Sequence, residues 1–516
     1  MTGPPRSDRK VVPRWRSFHA SLALGELLPL PNAREQRAEP TGKDELGHLR
    51  ADYRANQIGP IAADLMGAAL VLGQRETVLD VAEEVLENQI SATATARRLA
   101  GRLMEADGNM PAAVQADQIL DLEGDVRRGE LRRQLRESPR NALRWTDLAR
   151  LQTIIGKERH AHRAMLTARG LAPEDRHVLR SAARLAIHRH RPDEARAMLR
   201  AVPRTRRDPW LLAVEISAAD IAGERSPLIR VARQMLGDGR FADHELSELA
   251  SVLATLELDA GDLRTSRQLF RQALVDPSEN AIAQMTWAAP ALGVKYDEEA
   301  LAQPTSWEAR AITARRSGEW RRATQEARRW LEDQPFASRP AEFGSYEAAK
   351  GGDFKTGLGF AEDAILANPK EFLLRNNAAF CLLSMDETER AKSHLSEIDT
   401  KQLEPHNIVT LTATWGLYHF RSNAPDRGRE LYLQAIRSSR NPTSRALATI
   451  MLAREEMRVG LANAGETRER ATKLAERDEP DLAAWLGQLT AFDAPRITLT
   501  TRPDSPTASD APSSRS

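Results

Sequence analysis

The chain has 516 residues, too many for one ordinary globular core, and its 74 basic and 73 acidic residues leave a net charge of +1. A balance so near neutral offers no global field to nucleic acid or an anionic membrane, so partners must be met by local surfaces. The single cysteine, Cys381, excludes a disulfide framework and a multi-cysteine metal site and fits a reducing, cytoplasmic setting. Of the basic residues 64 are arginine and 10 lysine, a bias read as the mark of a GC-rich, bacterial genome.

Residues 1–40 form a basic and apolar arm in which Arg6, Arg9, Lys10, Arg14 and Arg16 precede an apolar run from Phe18 to Leu30. Glu26, Pro29 and Pro31 spoil that run as a signal-peptide core, and no stretch reaches the roughly 18 to 20 apolar residues of a membrane span. With Trp15, Phe18, Leu22, Leu24, Leu27 and Leu28 the arm is too apolar for a free linker. It is expected to cap the helical array that follows, the alternative being a recognition segment for a partner or membrane.

Residues 41–140 read as degenerate helical repeats, with Leu65, Ala69, Gly73, Ala82 and Val85 in a faint register. The register sharpens over 141–278, where Trp145, Leu148, Ala149, Gly156, Ala161, Met165, Ala168 and Pro173 are followed 34 residues later by His190 for Gly156 and Ala195 for Ala161. Ala250, Leu253, Ala254, Gly261, Phe270, Ala273 and Pro277 keep it. Residues 279–306 break it: a helix around Met285 and Trp287 runs into a loop through Gly293, Tyr296 and Pro304. A second array covers 307–475, set by Trp307, Ala311, Ala314, Gly318, Ala323, Ala327 and Pro335 and repeated 34 residues on at Gly352, Gly357, Ala361 and Pro369. Trp415, Gly416, Tyr432 and Ala435 continue it after a three-residue slip. A capping helix is expected within 476–495, and the Ser/Thr/Pro/Asp-rich tail, 496–516, is expected to be disordered.

The spacing has a physical cause. Each unit is two antiparallel helices whose small residues let the axes approach, a turn residue takes a conformation that favours glycine, and a proline closes the second helix. These units resemble tetratricopeptide repeats. The resemblance implies an all-α solenoid, a right-handed superhelix of about eight or nine helix-turn-helix units, because one unit cannot bury its apolar face alone. It further implies a protein-interaction scaffold or regulatory subunit in which the first helix of each unit lines a concave groove for a protein or peptide partner. Carried over position by position, the groove residues of the second array are Arg315, Glu342, Tyr346, Asn376, Phe380, Leu417, Phe420 and Arg421. The subtype that clamps a chaperone's C-terminal carboxylate is excluded: Asn377 suits it, but Glu342, Tyr346, Thr410 and Thr414 occupy its other positions.

Catalytic and cofactor motifs are not found. Gly351-Gly352-Asp353-Phe354-Lys355-Thr356 mimics a phosphate loop, but phenylalanine precedes the lysine and Gly352 falls on the repeat's turn. His160, His162, His188 and His190 lack a carboxylate or cysteine at ligand spacing and read as surface residues, while Cys381 sits in an apolar helix face with no base beside it. Neither a metal nor a cofactor is expected, nor an enzyme. Arginine runs at Arg127, Arg128, Arg132, Arg133 and Arg136 and at Arg321, Arg322, Arg328 and Arg329, with the basic loop from Pro203 to Arg207, raise nucleic acid as the alternative partner. Interleaved acids make these runs read as salt-bridged surface instead.

Overall fold

Alanine and leucine recurring three and four residues apart put one apolar stripe on each helix, and short side chains on that stripe let two helix axes close up. A computed structural model of the chain describes residues 9–18, 42–55, 75–86, 138–294, 305–475 and 480–490, with shorter pieces between residues 61 and 136. Every regular element among them is helical. The tail expected to be disordered and the loop through Tyr296 and Pro304 lie outside the described residues.

The helices come in pairs joined by short turns, beginning with Ala142–Ile154 and Glu158–Leu171, then Arg176–His188 and Pro192–Ala201, Pro209–Ile221 and Ile229–Gly237, and Asp243–Asp259 and Leu263–Ala273. Helix Glu279–Leu292 packs on the pair before it and on Trp307–Arg316 after it. Pairing resumes with Trp307–Arg316 and Trp320–Asp333, Ser338–Lys350 and Phe354–Ile365, and Phe372–Ser384 and Thr388–Ser396. The result is an all-α solenoid of tetratricopeptide-like units, divided into two compact parts, Met1–Asn407 and Ile408–Ser516.

Where paired helices meet, Ala149 and Ala161, Ala183 and Ala195, and Ala378 and Ala391 are wholly buried. Helix starts are fixed by side chains that accept from otherwise orphaned backbone N–H groups: Asn141 from Leu143 and Arg144, Asp175 from Val178, and Asp353 from Thr356. The turn inside a pair needs a left-handed residue, and Gly156, Gly318 and Gly352 supply φ of 68°, 73° and 80°. Thirty-four residues beyond Gly156 and Gly352, His190 and Asp386 hold φ of 56° and 66° at the equivalent turns.

In the first part, Phe336 and residues 366–371 lie against the first two pairs. Phe336 and Ala367 share an apolar cluster with Ala149, Ala161 and Ala183, and the His188 and Phe336 rings stand edge to face at 5.7 Å. Gly156 permits the closest approach: a Cβ there would lie 2.3 Å from the Leu366 carbonyl oxygen.

In the second part, Pro405–Arg421 and Pro425–Ser438 cross at two glycines. A Cβ on Gly428 would lie 2.8 Å from the Gly416 carbonyl oxygen and 2.6 Å from the Phe420 ring. Helix Pro442–Val459 packs on Pro425–Ser438 and pairs with Ala464–Ala475, and Pro480–Thr490 lies against both members of that last pair.

Candidate functional site

The described part of the basic arm runs along the array. From Arg9 to Ser17 it forms no regular structure, and its contacts fall on first helices of pairs, from Asp147 to Glu308, on the unpaired helix Glu279–Leu292, and on Asp333 and Gln334 at the end of a second helix. Hydrogen bonds link its main chain to side chains of the array. Gln284, Ser217, Asn280 and Arg150 donate to the carbonyls of Arg9, Val11, Val12 and Trp15, while the amides of Trp15 and Phe18 donate to Gln334 and Asp147. Such bonds hold an extended chain whatever its side chains, as a peptide-binding groove does.

The side chains add charge and shape. Arg9 donates from Nε and Nη2 to the two oxygens of Glu308 at 2.8 and 2.7 Å, and from Nη1 to Gln284. Lys10 sits between Asp220 at 2.6 Å and Asp259 at 3.0 Å. Arg14 reaches Asp333 at 3.1 Å, Glu308 at 3.3 Å and Glu279 at 3.4 Å, and Arg16 grips Asp333 through two nitrogens and also meets Glu279. Trp15, fully buried, stands edge to face with Phe336 at 5.4 Å, and Phe18 stands so with His177 at 5.8 Å.

Burial would raise the pKa of Glu308, but Arg9, Arg339 and Arg14 hold it down at about 2. Asp333 is likewise lowered, against burial, chiefly by Arg16 and Arg14. Burial works the other way on Lys10, whose pKa is nonetheless raised by Asp220 and Asp259. Four cations therefore lie in a row of five carboxylates, Asp220, Asp259, Glu279, Glu308 and Asp333. Beside them Arg184 lies over the Phe336 ring at 4.9 Å, and burial alone brings its pKa to about 10. Burial also takes His177 and His188 down to about 4 and about 3.

The groove residues carried over from the family occupy three different settings. Arg315 lies over the rings of Phe343 at 4.2 Å and Tyr346 at 5.2 Å and pairs with the buried Glu347, which also holds Lys350 at 2.7 Å. Glu342, half-buried, has its pKa raised by burial and by Glu371 nearby, and Phe380 stacks edgewise on Phe354 at 6.2 Å. Asn376 is buried. Leu417 and Phe420 belong to the second part of the chain and are interior packing residues, 0% and 4% exposed, so neither offers a partner any surface. Arg421 pairs there with the buried Glu455 at 2.8 Å.

His188 is a correction to its placement on the surface: its ring is half-buried against Phe336. His190 is exposed and His162 meets Arg189 at 3.0 Å. The phosphate-loop mimic is the end of one helix, a left-handed Gly352 and the Asp353 cap of the next. Cys381 is buried, which pushes its thiol up to about 12. Among the arginine runs, Arg322, Arg328 and Arg329 pair with Glu319, Asp363 and Glu326.

No protein-family model matches the chain, and no curated protein matches it. Solved structures that the chain matches include the Cut9–Hcn1 hetero-tetramer of the APC/C, 11% identical over 87% of this chain and 93% of that chain, with a TM-score of 0.37. The human IFIT1 dimer with m7Gppp-AAAA is 14% identical over 68% of this chain and 88% of that chain, and the same dimer with PPP-AAAA 15% over 67% and 89%, each with a TM-score of 0.35. These are tetratricopeptide-like helical-repeat proteins, and the likeness concerns architecture alone.

Proposed function

We propose that the chain is a protein-interaction scaffold, not a catalyst, that recruits a protein partner by holding an extended segment of it on the first helices of the array between residues 142 and 334. The observation that carries this reading is residues 9–18, held there as a ligand would be, with side chains of the array gripping both its backbone and its cations. The carboxylates along this face favour a basic peptide and repel nucleic acid. Arg315, Glu342, Tyr346 and Phe380 extend the proposed surface within the same part of the chain, and the buried single cysteine suits work in the cytoplasm.

Affinity capture followed by mass spectrometry tests the reading, using the intact chain beside a Glu308→Gln, Asp333→Asn chain whose helicity is checked by circular dichroism. Partners of the groove are expected to disappear from the substituted chain. If every captured partner stays, the groove is not the recruiting surface. Binding that weakens about a thousandfold or more between 50 and 200 mM salt points instead to phosphate contacts and nucleic acid.

A further inference from the structure

Resting on that reading, we propose that the partner's segment is an extended, arginine-rich stretch carrying an aromatic residue between two arginines, and that residues 9–18 are the resident competitor it displaces.

The composition of the groove selects this chemistry. Asp220, Asp259, Glu279, Glu308 and Asp333 line one face, and emptying it would take from the buried Glu279 and Glu308, and from Asp333, the cations of residues 9–18 that face them, leaving Glu308 the Arg339 guanidinium at 3.7 Å. An occupant must therefore bring several cations at once. Glu308 receives two guanidinium nitrogens from Arg9, and Asp333 two from Arg16, a planar fork that an ammonium group does not reproduce. Between Arg14 and Arg16 the Trp15 ring fills the place beside Phe336, which sets the aromatic position.

Two features make the resident segment replaceable. Its backbone is held by side chains of the array, so another extended chain can make the same bonds. Its own fit is incomplete: the buried Trp15 Nε1 donates to no acceptor among the described residues, Glu279 Oε1 accepts from none, and Arg14 Nε meets Glu279 only as an ion pair at 3.4 Å. A segment that satisfies these atoms binds more tightly than residues 9–18 do, atom for atom. The arm compensates by belonging to the chain, which gives it an effective concentration on the order of millimolar.

The test uses the full chain and a fluorescein-labelled decapeptide with the sequence of residues 9–18. The intact chain is expected to bind it weakly, and an Arg14→Ala, Arg16→Ala chain about 100-fold more tightly, since its own arm competes poorly. Adding Glu308→Gln and Asp333→Asn to that chain should abolish binding, and a peptide with lysine in place of its three arginines should bind at least about tenfold more weakly. Should the double arginine variant fail to fold, hydrogen exchange on the intact chain gives the same answer: excess peptide should increase exchange in residues 9–18. A folded variant that binds no better than the intact chain, or an arm whose exchange ignores the peptide, overturns the proposal. So does a mixed dimer of intact and variant chains in place of peptide binding, which would assign the groove to a second copy. If the peptide fails while Glu308→Gln, Asp333→Asn still removes captured partners, only the competitor and its chemistry are wrong. If those partners also stay, the groove reading falls with it.

Discussion

Replacing Glu308 by glutamine keeps the shape of the site and removes one charge from its centre. Glu308 is 4% exposed and bonds Arg9 at 2.8 and 2.7 Å and Arg14 at 3.3 Å. A carboxyl brought from 4.5 to about 2 interacts with its surroundings more favourably when charged by about 3 kcal/mol. Stranding Arg9 and Arg14 without this countercharge is expected to cost about the same, at the low end of the roughly 3 to 5 kcal/mol for a broken buried pair. The loss should fall first on the arm. Hydrogen exchange should show residues 9–18 losing protection while helices such as Asp243–Asp259 keep theirs. Because the pair is shielded from solvent, the effect should persist in 0.5 M salt. A cycle with Arg9→Met measures the coupling directly, and the double variant should lose clearly less than the sum of the single ones. Unchanged arm protection in Glu308→Gln, or single losses that simply add, would refute the assignment of Glu308 as the anchor of the arm.

The same group sets a pH window: its folded pKa is depressed, so its contribution is complete above the unfolded value and is lost progressively as pH falls from about 4.5 to about 2, and arm protection from this pair at pH 5.5 should be near that at pH 7. His177, whose folded pKa is also lowered, acts in the same direction at higher pH; its neutral folded form is disfavoured once the unfolded side chain protonates, so stability should fall from pH 6.5 to about 4, by up to about 3 kcal/mol, and His177→Gln should flatten that part of a denaturation series. Gly318→Ala meets no atom within 4 Å and should cost about 1 to 2 kcal/mol for the left-handed turn alone, whereas Gly156→Ala also collides with the Leu366 carbonyl and should cost clearly more in urea denaturation. Gly428→Ala should push apart the helices that cross at Gly416, seen as increased exchange in Pro425–Ser438. Cys381 should resist iodoacetamide at pH 8 in the native chain and react on denaturation, since burial holds the thiol's pKa near 12.

The helical solenoid was legible because its signals are local: Gly156, Gly318 and Gly352 sit at left-handed turns, and paired alanines meet where the spacing put them. The repeat looked weaker than it is because His190 and Asp386 take the glycine conformation without being glycine. The arm's route was not legible, for its partners lie 129 to 319 residues away, from Asp147 for Phe18 to Asp333 for Arg14, and no periodicity connects them. A faint signal existed in Arg14 and Arg16, two apart around Trp15, which in an extended chain point the same way. Position in a repeat likewise could not tell lining from packing: Leu417 and Phe420 hold groove positions by register, yet Phe420 turns inward against Tyr432 at 6.1 Å, and Leu417 is fully buried.

The contact of Gly156 with Leu366, together with Phe336 beside His188, changes how the first part of the chain can come undone. A stack held only by nearest neighbours frays from its ends, one unit at a time. Here the pair that begins at Ala142 also leans on the segment that follows Ile365, so loosening either one removes support from the other. Unfolding between Ala142 and Ala367 should therefore be steeper and more nearly all-or-none than the number of its repeats suggests.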